Sequence, residues 1–596
     1  MKHRLQRRDD TMVPLRGNEN LCFIYKHSLN NFPFCHIINE SFALQSLQLN
    51  CITIWPMAMT LPTFVVLFLI LSPLIMLASS QTLNPEEQTM ENPLILQACS
   101  NIKDRNACLS NLKSFLDDHS SVNHKPDSIL RAALKATLNE TQLAMQTFTR
   151  FSSLSSGSRE QIAIEDCKEL LDFSVSELAW SLAEMKEIRS GSQDPHYQGN
   201  LKAWLSAALS NQDTCLEGFE GTNRHLESFI RGSLTQVTQL ISNVLALYTQ
   251  LHTLPFKPPR SYGDKTNTFF PKWMSQGDKE LMLASPNAMH TDVVVALDGS
   301  GHYRSISEAI NDAPSYSNRR YVIYVKRGVY KENVDMKKKK TNIMLVGDGI
   351  GATVVTGDRN FMQGWTTFRT ATVAVSGRGF IARDMTFRNT AGPQSHQGVA
   401  LRVDSDQSAF YRCSMEGYQD TLYAHSLRQF YRECTISGTI DFIFGNGAAV
   451  LQNCKIYTRE PLPLQKVTIT AQGRKNPNQN TGFSIQDSFV YATKPTYLGR
   501  PWKEYSRTVF MNTYMSSMVQ PRGWLEWYGN FALSTLWYGE YRNYGPGASL
   551  TGRVRWPGYH MAMDASTADS FTVRRFIDGV AWLPATGVAF SAGLSN

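Results

Sequence analysis

Between residues 397 and 456 the chain repeats itself about every 20 residues, and a period of that length leaves few folds open. Phe410, Phe430 and Val450 are 20 apart, as are Ile436 and Ile456, and Cys434 and Cys454. Four polar residues keep nearly the same step: 22 residues separate Gln397 from Gln419, and 21 separate Asp420 from Asp441. Short β-rich segments that recur near 20 residues mark a solenoid in which each repeat is one coil. Strands of neighbouring coils lie about 4.8 Å apart, so residues one period apart stack. Two carboxylates and two carboxamides are therefore expected to form a column on one face.

The solenoid is one part of a longer chain. At 596 residues more than one domain is expected, and with 42% hydrophobic and 18% charged residues the composition is globular. Residues 1–56 show no apolar period and read as an N-terminal extension. Residues 57–80 contain the apolar run Leu61–Ala78 and read as a signal peptide, cleaved near Ser79–Gln81, or as a signal anchor. Either delivers the remainder to an oxidising exterior. Three of the cysteine pairs are spaced as bridges rather than as metal sites, whereas Cys22, Cys35, Cys51 and Cys413 have no evident partner.

Residues 93–252 read as an all-α four-helix bundle. Leu171, Val175, Leu178, Leu182 and Met185 follow the spacing of one helical face, and Gly/Ser breaks fall at 156–158 and 190–192. Cys99 and Cys108 are expected to staple an entry hairpin, and Cys167 and Cys215 to link two helices. Asn139-Glu-Thr is a glycosylation sequon for a secreted chain. No cluster here looks catalytic, so the bundle is read as a binding or inhibitory module. Residues 253–290 form a linker punctuated by Pro255, Pro258, Pro259 and Pro271.

Residues 291–596 read as the β-helical domain: an all-β repetition of short strands, such as those in Tyr321–Tyr330 and Thr353–Gly357, runs to about residue 515, and an aromatic-rich tail follows. Gly347–Ala352 matches a dinucleotide fingerprint superficially, but a strand rather than a helix follows it, so it is a turn. No GxSxG elbow occurs, and His302, His396, His425 and His560 are scattered. Lys337–Lys340 is read as a solvated loop between strands. The net charge of +8 suits an acidic partner without choosing one.

The Asp420/Asp441 pair carries the chemistry. Like charges a few ångströms apart separate their proton affinities, leaving one carboxyl protonated and one ionised. The ionised member can act as a nucleophile and the protonated one as a general acid, with the glutamine carboxamides as oxyanion donors. Arg500 can hold the nucleophile ionised, and the Trp502 indole suits stacking on a sugar ring.

At these residues the chain resembles plant pectin methylesterases (pectinesterases) that carry an N-terminal inhibitor-like domain. The matching segments are GVYKE (328–332), GDG (347–349), TTF (366–368), QGVAL (397–401), YQDTL (418–422), DFIFGN (441–446) and LGRPW (498–502). The resemblance implies a right-handed parallel β-helix and hydrolysis of C6 methyl esters of homogalacturonan, with Asp441 as nucleophile and Asp420 as proton donor and acceptor. Gln397 and Gln419 would stabilise the oxyanion. Arg500 would orient Asp441, and Thr367 and Trp502 would contact substrate. Cys434 and Cys454 match the family's catalytic-domain bridge. No metal, cofactor or nucleic acid is implied, and the membrane enters only through the signal or anchor segment. The protein would act in the plant cell wall, with its bundle restraining the catalytic domain. The chain departs from the family at Gly398, where Ala is common, and at Lys279-Glu280-Leu281-Met282, where Glu280 breaks a basic processing motif. Two other readings compete: a β-helix glycosidase, which also uses paired carboxylates, and a non-catalytic wall-binding or inhibitory protein.

Overall fold

The computed structural model describes residues 93–251, apart from 101–104, 107–108, 111–112, 114–125, 152–156, 190–194 and 223, and residues 290–595. The N-terminal extension, the signal or anchor segment, the linker through residue 289 and Cys108 lie outside the described residues. Among the described residues no helix is long and apolar enough to cross a membrane.

From Val293 onward, short strands wind into a parallel β-helix, as the period predicts. One turn of the solenoid runs through Arg428–Arg432, Thr435–Gly438 and Ile443–Gly445, each strand joining a different sheet. Sheet I has eleven strands, sheet II seven and sheet III eight. Pairing is parallel in all three, as in Phe430↔Val450, Leu422↔Ile443 and Ile436↔Ile456. From the strand Ile381–Arg383 onward the corner between sheets I and III is turned by a residue with positive φ, among them Asp384, Arg412, Glu433, Asn453, Asp487 and Asn512. Such a residue turns the chain without a loop, so successive coils stay in register.

The ring column differs from the sequence expectation in one rung. Phe410 stacks on Tyr431, with centroids 4.9 Å apart, and not on Phe430. The step in this coil is 21 residues, and a one-residue shift exchanges the two faces of a strand. Phe410 and Tyr431 therefore fill the solenoid interior with Ile436, Leu451 and Ile456. Phe430 and Val450 point outward and pack under the C-terminal segment of Phe571, Phe576, Trp582 and Leu583.

Two cysteine expectations are resolved. Cys167 and Cys215 are bridged and join the helix Ser158–Arg189 to the helix Pro195–Glu217, and Cys99 is also disulfide-bonded. The expected Cys434–Cys454 bridge is not formed: both are free, buried thiols, stacked with Cys413 at the same corner of successive coils. In-register side chains project parallel at about 4.8 Å, whereas a bridge draws the β-carbons to about 3.8 Å. The Cys434 and Cys454 thiols instead donate to backbone carbonyls, Cys434 to Phe410 O at 3.4 Å.

The described helices of residues 93–251 include α1 Pro93–Cys99, α2 Pro126–Phe151, α3 Ser158–Arg189, α4 Pro195–Glu217 and α5 Arg224–Leu251. The four long ones form the bundle. Proline opens α2 where no backbone donor is needed, Asp127 sits in its first turn and Arg150 in its last. The stripe anticipated on α3 is divided between two cores. Leu178 and Met185 face the bundle interior, while Leu171 joins a cluster shared with the β-helix. Asn139 is exposed on α2.

Phe410→Ala removes a ring from the solenoid interior and is expected to cost about 3–5 kcal/mol in urea unfolding. Leu143→Ala, at an exposed position of α2, should stay within about 0.5 kcal/mol.

Candidate active site

Asp420 and Asp441 are corner residues entering two neighbouring strands of sheet II, Leu422–Ala424 and Ile443–Gly445. Both take left-handed backbone, with φ of 63° and 51°, a conformation that a short polar side chain tolerates. The register Leu422↔Ile443 sets one carboxyl above the other. Gln397 and Gln419 are joined by a parallel bridge one coil earlier. The column anticipated from the spacing is thus assembled.

The two aspartates meet different surroundings. Asp441 is gripped by Arg500, whose Nη2 donates to Oδ2 at 2.6 Å and whose Nε donates to Oδ1 at 2.9 Å. Such a two-pronged, charge-assisted contact fixes a carboxylate in orientation and charge. Among the described residues no cation pairs with Asp420 in this way. Burial first, and the Asp441 charge second, push it well above the usual carboxylate range, with Arg500 opposing. Arg500 itself is raised: burial works against its charge, and Asp441 outweighs that. A carboxyl clamped by a guanidinium beside one that burial and a like charge push upward is the pair that nucleophilic attack with general-acid assistance requires.

Two further side chains serve the site without having been legible in the sequence. Thr468 Oγ donates to Asp441 Oδ1 at 2.6 Å and accepts from the Asp441 N–H at 2.9 Å, bracing the carboxylate from the next coil. It lies 27 residues after Asp441, because that coil carries an inserted loop, and so it escapes a search at period 20. Trp527 lies under Arg500, with the guanidinium 4.2 Å from its ring centre.

Of the remaining expected residues, Trp502 packs against the cluster that holds Tyr423 and Phe444. Thr367 opens a short turn, Thr367–Thr370, and is half-buried. The Trp502 ring sits 5.9 Å from that of Phe444. A β-carbon on Gly473 would lie 2.8 Å from the Trp502 ring. Gly398 has a local reason as well. A β-carbon there would meet Asn389 Oδ1 at 3.0 Å, and the Asn389 amide is anchored to Arg359 O at 2.8 Å. His425 is not catalytic in character: burial, then Arg402, lowers it to about 3, and its Nε2 lies 3.0 Å from Thr214 Oγ of the bundle.

The bundle packs on sheet II. Phe148, Phe219 and Leu226 share one apolar cluster with Phe368, Tyr423 and Phe444, and Trp502 and Trp527 border it. Trp204 of α4 is buried and donates to Asp406 at 2.9 Å, while Arg428 donates to the same carboxylate at 2.8 Å. Around this centre Asp166 and Glu169 both bind Arg369, and Glu217 binds Lys503 at 2.6 Å. Glu169 is lowered to about 2 despite burial, because Arg369, Arg402 and Lys337 favour its charge. Lys337–Lys340 is a loop between strands, as expected, but it is solvated only in part: Lys337 and Lys339 are exposed, whereas Lys340 is buried. Lys337 binds Glu169 at 2.9 Å, Lys338 binds Asp172, and Lys340 donates into the backbone at Asn311 O.

Fold and site together define a parallel β-helix that carries a buried pair of stacked carboxyls and is capped by a helical bundle. Residues 292–580 match the Pectinesterase family, and residues 93–247 match the family described as plant invertase/pectin methylesterase inhibitor. Pectinesterase/pectinesterase inhibitor 22 of Arabidopsis thaliana is 66% identical over 524 residues, covering 86% of this chain and 96% of the relative. Pectinesterase/pectinesterase inhibitor PPE8B of Prunus persica is 51% identical over 471 residues, covering 77% and 88%. The solved structure of pectin methylesterase from carrot aligns with a TM-score of 0.51 at 55% identity, over 51% of this chain and 98% of that one. The chain belongs to the pectinesterase family and has an inhibitor-type bundle ahead of its right-handed β-helix. Of the three readings open from the sequence, the esterase stands.

Because folding raises the pKa of Asp420, ionising it opposes the native state. That penalty is absent below the ordinary carboxylate range and grows as pH rises towards the folded value. Asp420→Asn is therefore expected to melt roughly 2–4 °C above the unmodified protein at alkaline pH, with the gap closing as pH falls into the carboxylate range. A gap independent of pH would contradict the assignment.

Proposed function

We propose that this pectinesterase hydrolyses C6 methyl esters of homogalacturonan with Asp441 as nucleophile and Asp420 as acid, then base. The Asp441 carboxylate adds to the ester carbonyl carbon, and the negative charge moves to the carbonyl oxygen. The Gln397 and Gln419 amides donate hydrogen bonds to that oxygen, where they act most strongly in a dry site. The tetrahedral species collapses, the bond to the methoxy oxygen breaks, and Asp420 delivers its proton so that methanol leaves. The remaining acyl-enzyme is an anhydride of Asp441. Asp420, now a carboxylate, takes a proton from water, whose oxygen attacks the acyl carbon. Galacturonate departs and Asp441 is restored, with the proton back on Asp420. Arg500 and Thr468 hold Asp441 throughout, and Thr367 and Trp502 position the sugar.

The observation that carries this reading is the asymmetry of the pair: Arg500 clamps Asp441 while Asp420 is buried and raised. The same face supports a second element of the proposal, that the bundle restrains the enzyme until it is displaced. Its apolar centre covers Phe368, Tyr423 and Phe444 beside the catalytic corner. The protein is placed in the cell wall, delivered by the segment at 57–80, with Asn139 glycosylated on the exposed side of α2.

Asp441→Asn keeps the volume and removes the charge, so methanol release from methylated pectin should fall by about 10³-fold or more with an unchanged melting profile. Retained turnover would sink the nucleophile assignment. In the full chain, Trp204→Ala unseats the bundle anchor and is expected to raise methanol release about 10-fold, since a buried anchor of this kind contributes on the order of 2 kcal/mol or more to docking. Unchanged release, with the bundle shown to be loosened by faster amide exchange, would rule out the restraint.

A further inference from the structure

The contacts between bundle and β-helix are polarised in charge. Five cations of the β-helix are each answered by a carboxylate of α3 or α4. Lys475 meets Asp213 at 2.6 Å, Lys503 meets Glu217 at 2.6 Å and Lys337 meets Glu169 at 2.9 Å. Lys338 meets Asp172, and Arg369 meets both Asp166 and Glu169. In these pairs the acid always comes from the bundle and the base from the β-helix.

The cations are also placed along a path. Lys337 and Lys338 follow strand Val334–Met336 at one end of sheet II. Lys503 follows Thr496–Gly499 at the other end, and Lys475 follows the neighbouring strand Val467–Gln472. Seven strands at about 4.8 Å make a face about 29 Å long, enough for several sugar units. Arg369 lies two residues beyond Thr367, and Lys503 is next to Trp502. Between the cations run Phe368, Tyr423, Phe444 and Trp502, whose rings suit the apolar faces of sugars. Cations flanking an aromatic strip suit an acidic polysaccharide, and the bundle occupies them with carboxylates of its own.

We infer that the acidic face of the bundle stands in for a de-esterified galacturonan, and that Arg369, Lys337, Lys338, Lys475 and Lys503 are the docking track for its free carboxylates. This rests on the esterase reading of the site. A fully esterified chain brings no carboxylates and cannot compete for the cations. The product of the reaction brings one per unit and can. Lys337 and Lys475 are about half exposed, at 48% and 44%, and ion pairs of that exposure exchange readily for another polyanion. De-esterified product therefore loosens the bundle and exposes more of the site, so the full chain accelerates as carboxylates accumulate.

The test uses the full-length protein with unmethylated decagalacturonate as probe and hydrogen exchange of α4 as readout. The decamer is expected to speed exchange in α4 at concentrations where its fully methyl-esterified counterpart, and sodium chloride of matched ionic strength, do not. Glu217→Gln weakens the mimic and should lower the decamer concentration for half-maximal opening by about 5-fold, the scale of one partly buried ion pair. Equal opening by salt, equal opening by the esterified decamer, or no opening at saturating decamer each overturns the proposal. Methanol release is measured separately. Its absence would defeat the esterase reading while leaving a decamer-specific opening of the bundle standing.

Discussion

The in-register stacking of one coil on the next is the constraint from which the rest follows. It fixes the corner of each coil above the corner of the previous one, so that Asp420 and Asp441 cannot avoid one another. Two carboxyls so placed cannot share one charge state in a buried setting. The fold resolves the conflict by giving Asp441 the Arg500 clamp and the Thr468 brace, and leaving Asp420 to burial. The two carboxyls are therefore made distinct by their neighbours rather than by residue type. The solenoid carries the left-handed backbone at both positions because strands on either side hold each corner in place.

The same stacking produces the face on which the bundle sits. Strands of sheet II present apolar and aromatic side chains outward, which a lone β-helix would expose to water. The bundle covers them with Phe148, Phe219 and Leu226 and closes the border with acids set against bases. An interface with an apolar centre and charged edges can be both specific and reversible, because the exposed pairs at the rim cost little to exchange. The buried Asp166–Arg369 pair and the Trp204–Asp406 hydrogen bond give it its geometry.

Legibility in the sequence tracked how constant the coil length was. Corner residues fall 21 and 20 apart from Arg412 to Glu433 to Asn453, but 34 apart from Asn453 to Asp487. Only the constant stretch betrays a period, and it contains Asp420 and Asp441. Thr468 sits beyond an inserted loop and was invisible, although it touches Asp441 directly. Even within the constant stretch, the 21-residue step sent Phe410 to Tyr431 instead of Phe430. The Lys337–Lys340 run looked like a solvated loop because its partners, Glu169 and Asp172, are far away in sequence. Cys434 and Cys454 have the spacing of a bridge, yet they stand as parallel thiols.

By itself the sequence determined the two architectures and the polar column, since periods of 20 and of 3.6 residues report local geometry that each segment adopts on its own. It also determined the catalytic candidates, because residue types stacked on one face fall within a single period. Only the tertiary structure decided which carboxyl is clamped and which is pushed upward by burial. Arg500 lies 59 residues from Asp441, and burial is a property of the assembled site. Only the tertiary structure decided, too, that the bundle's acids meet the cations of the β-helix. Charge complementarity between surfaces distant in sequence exists only once both have folded.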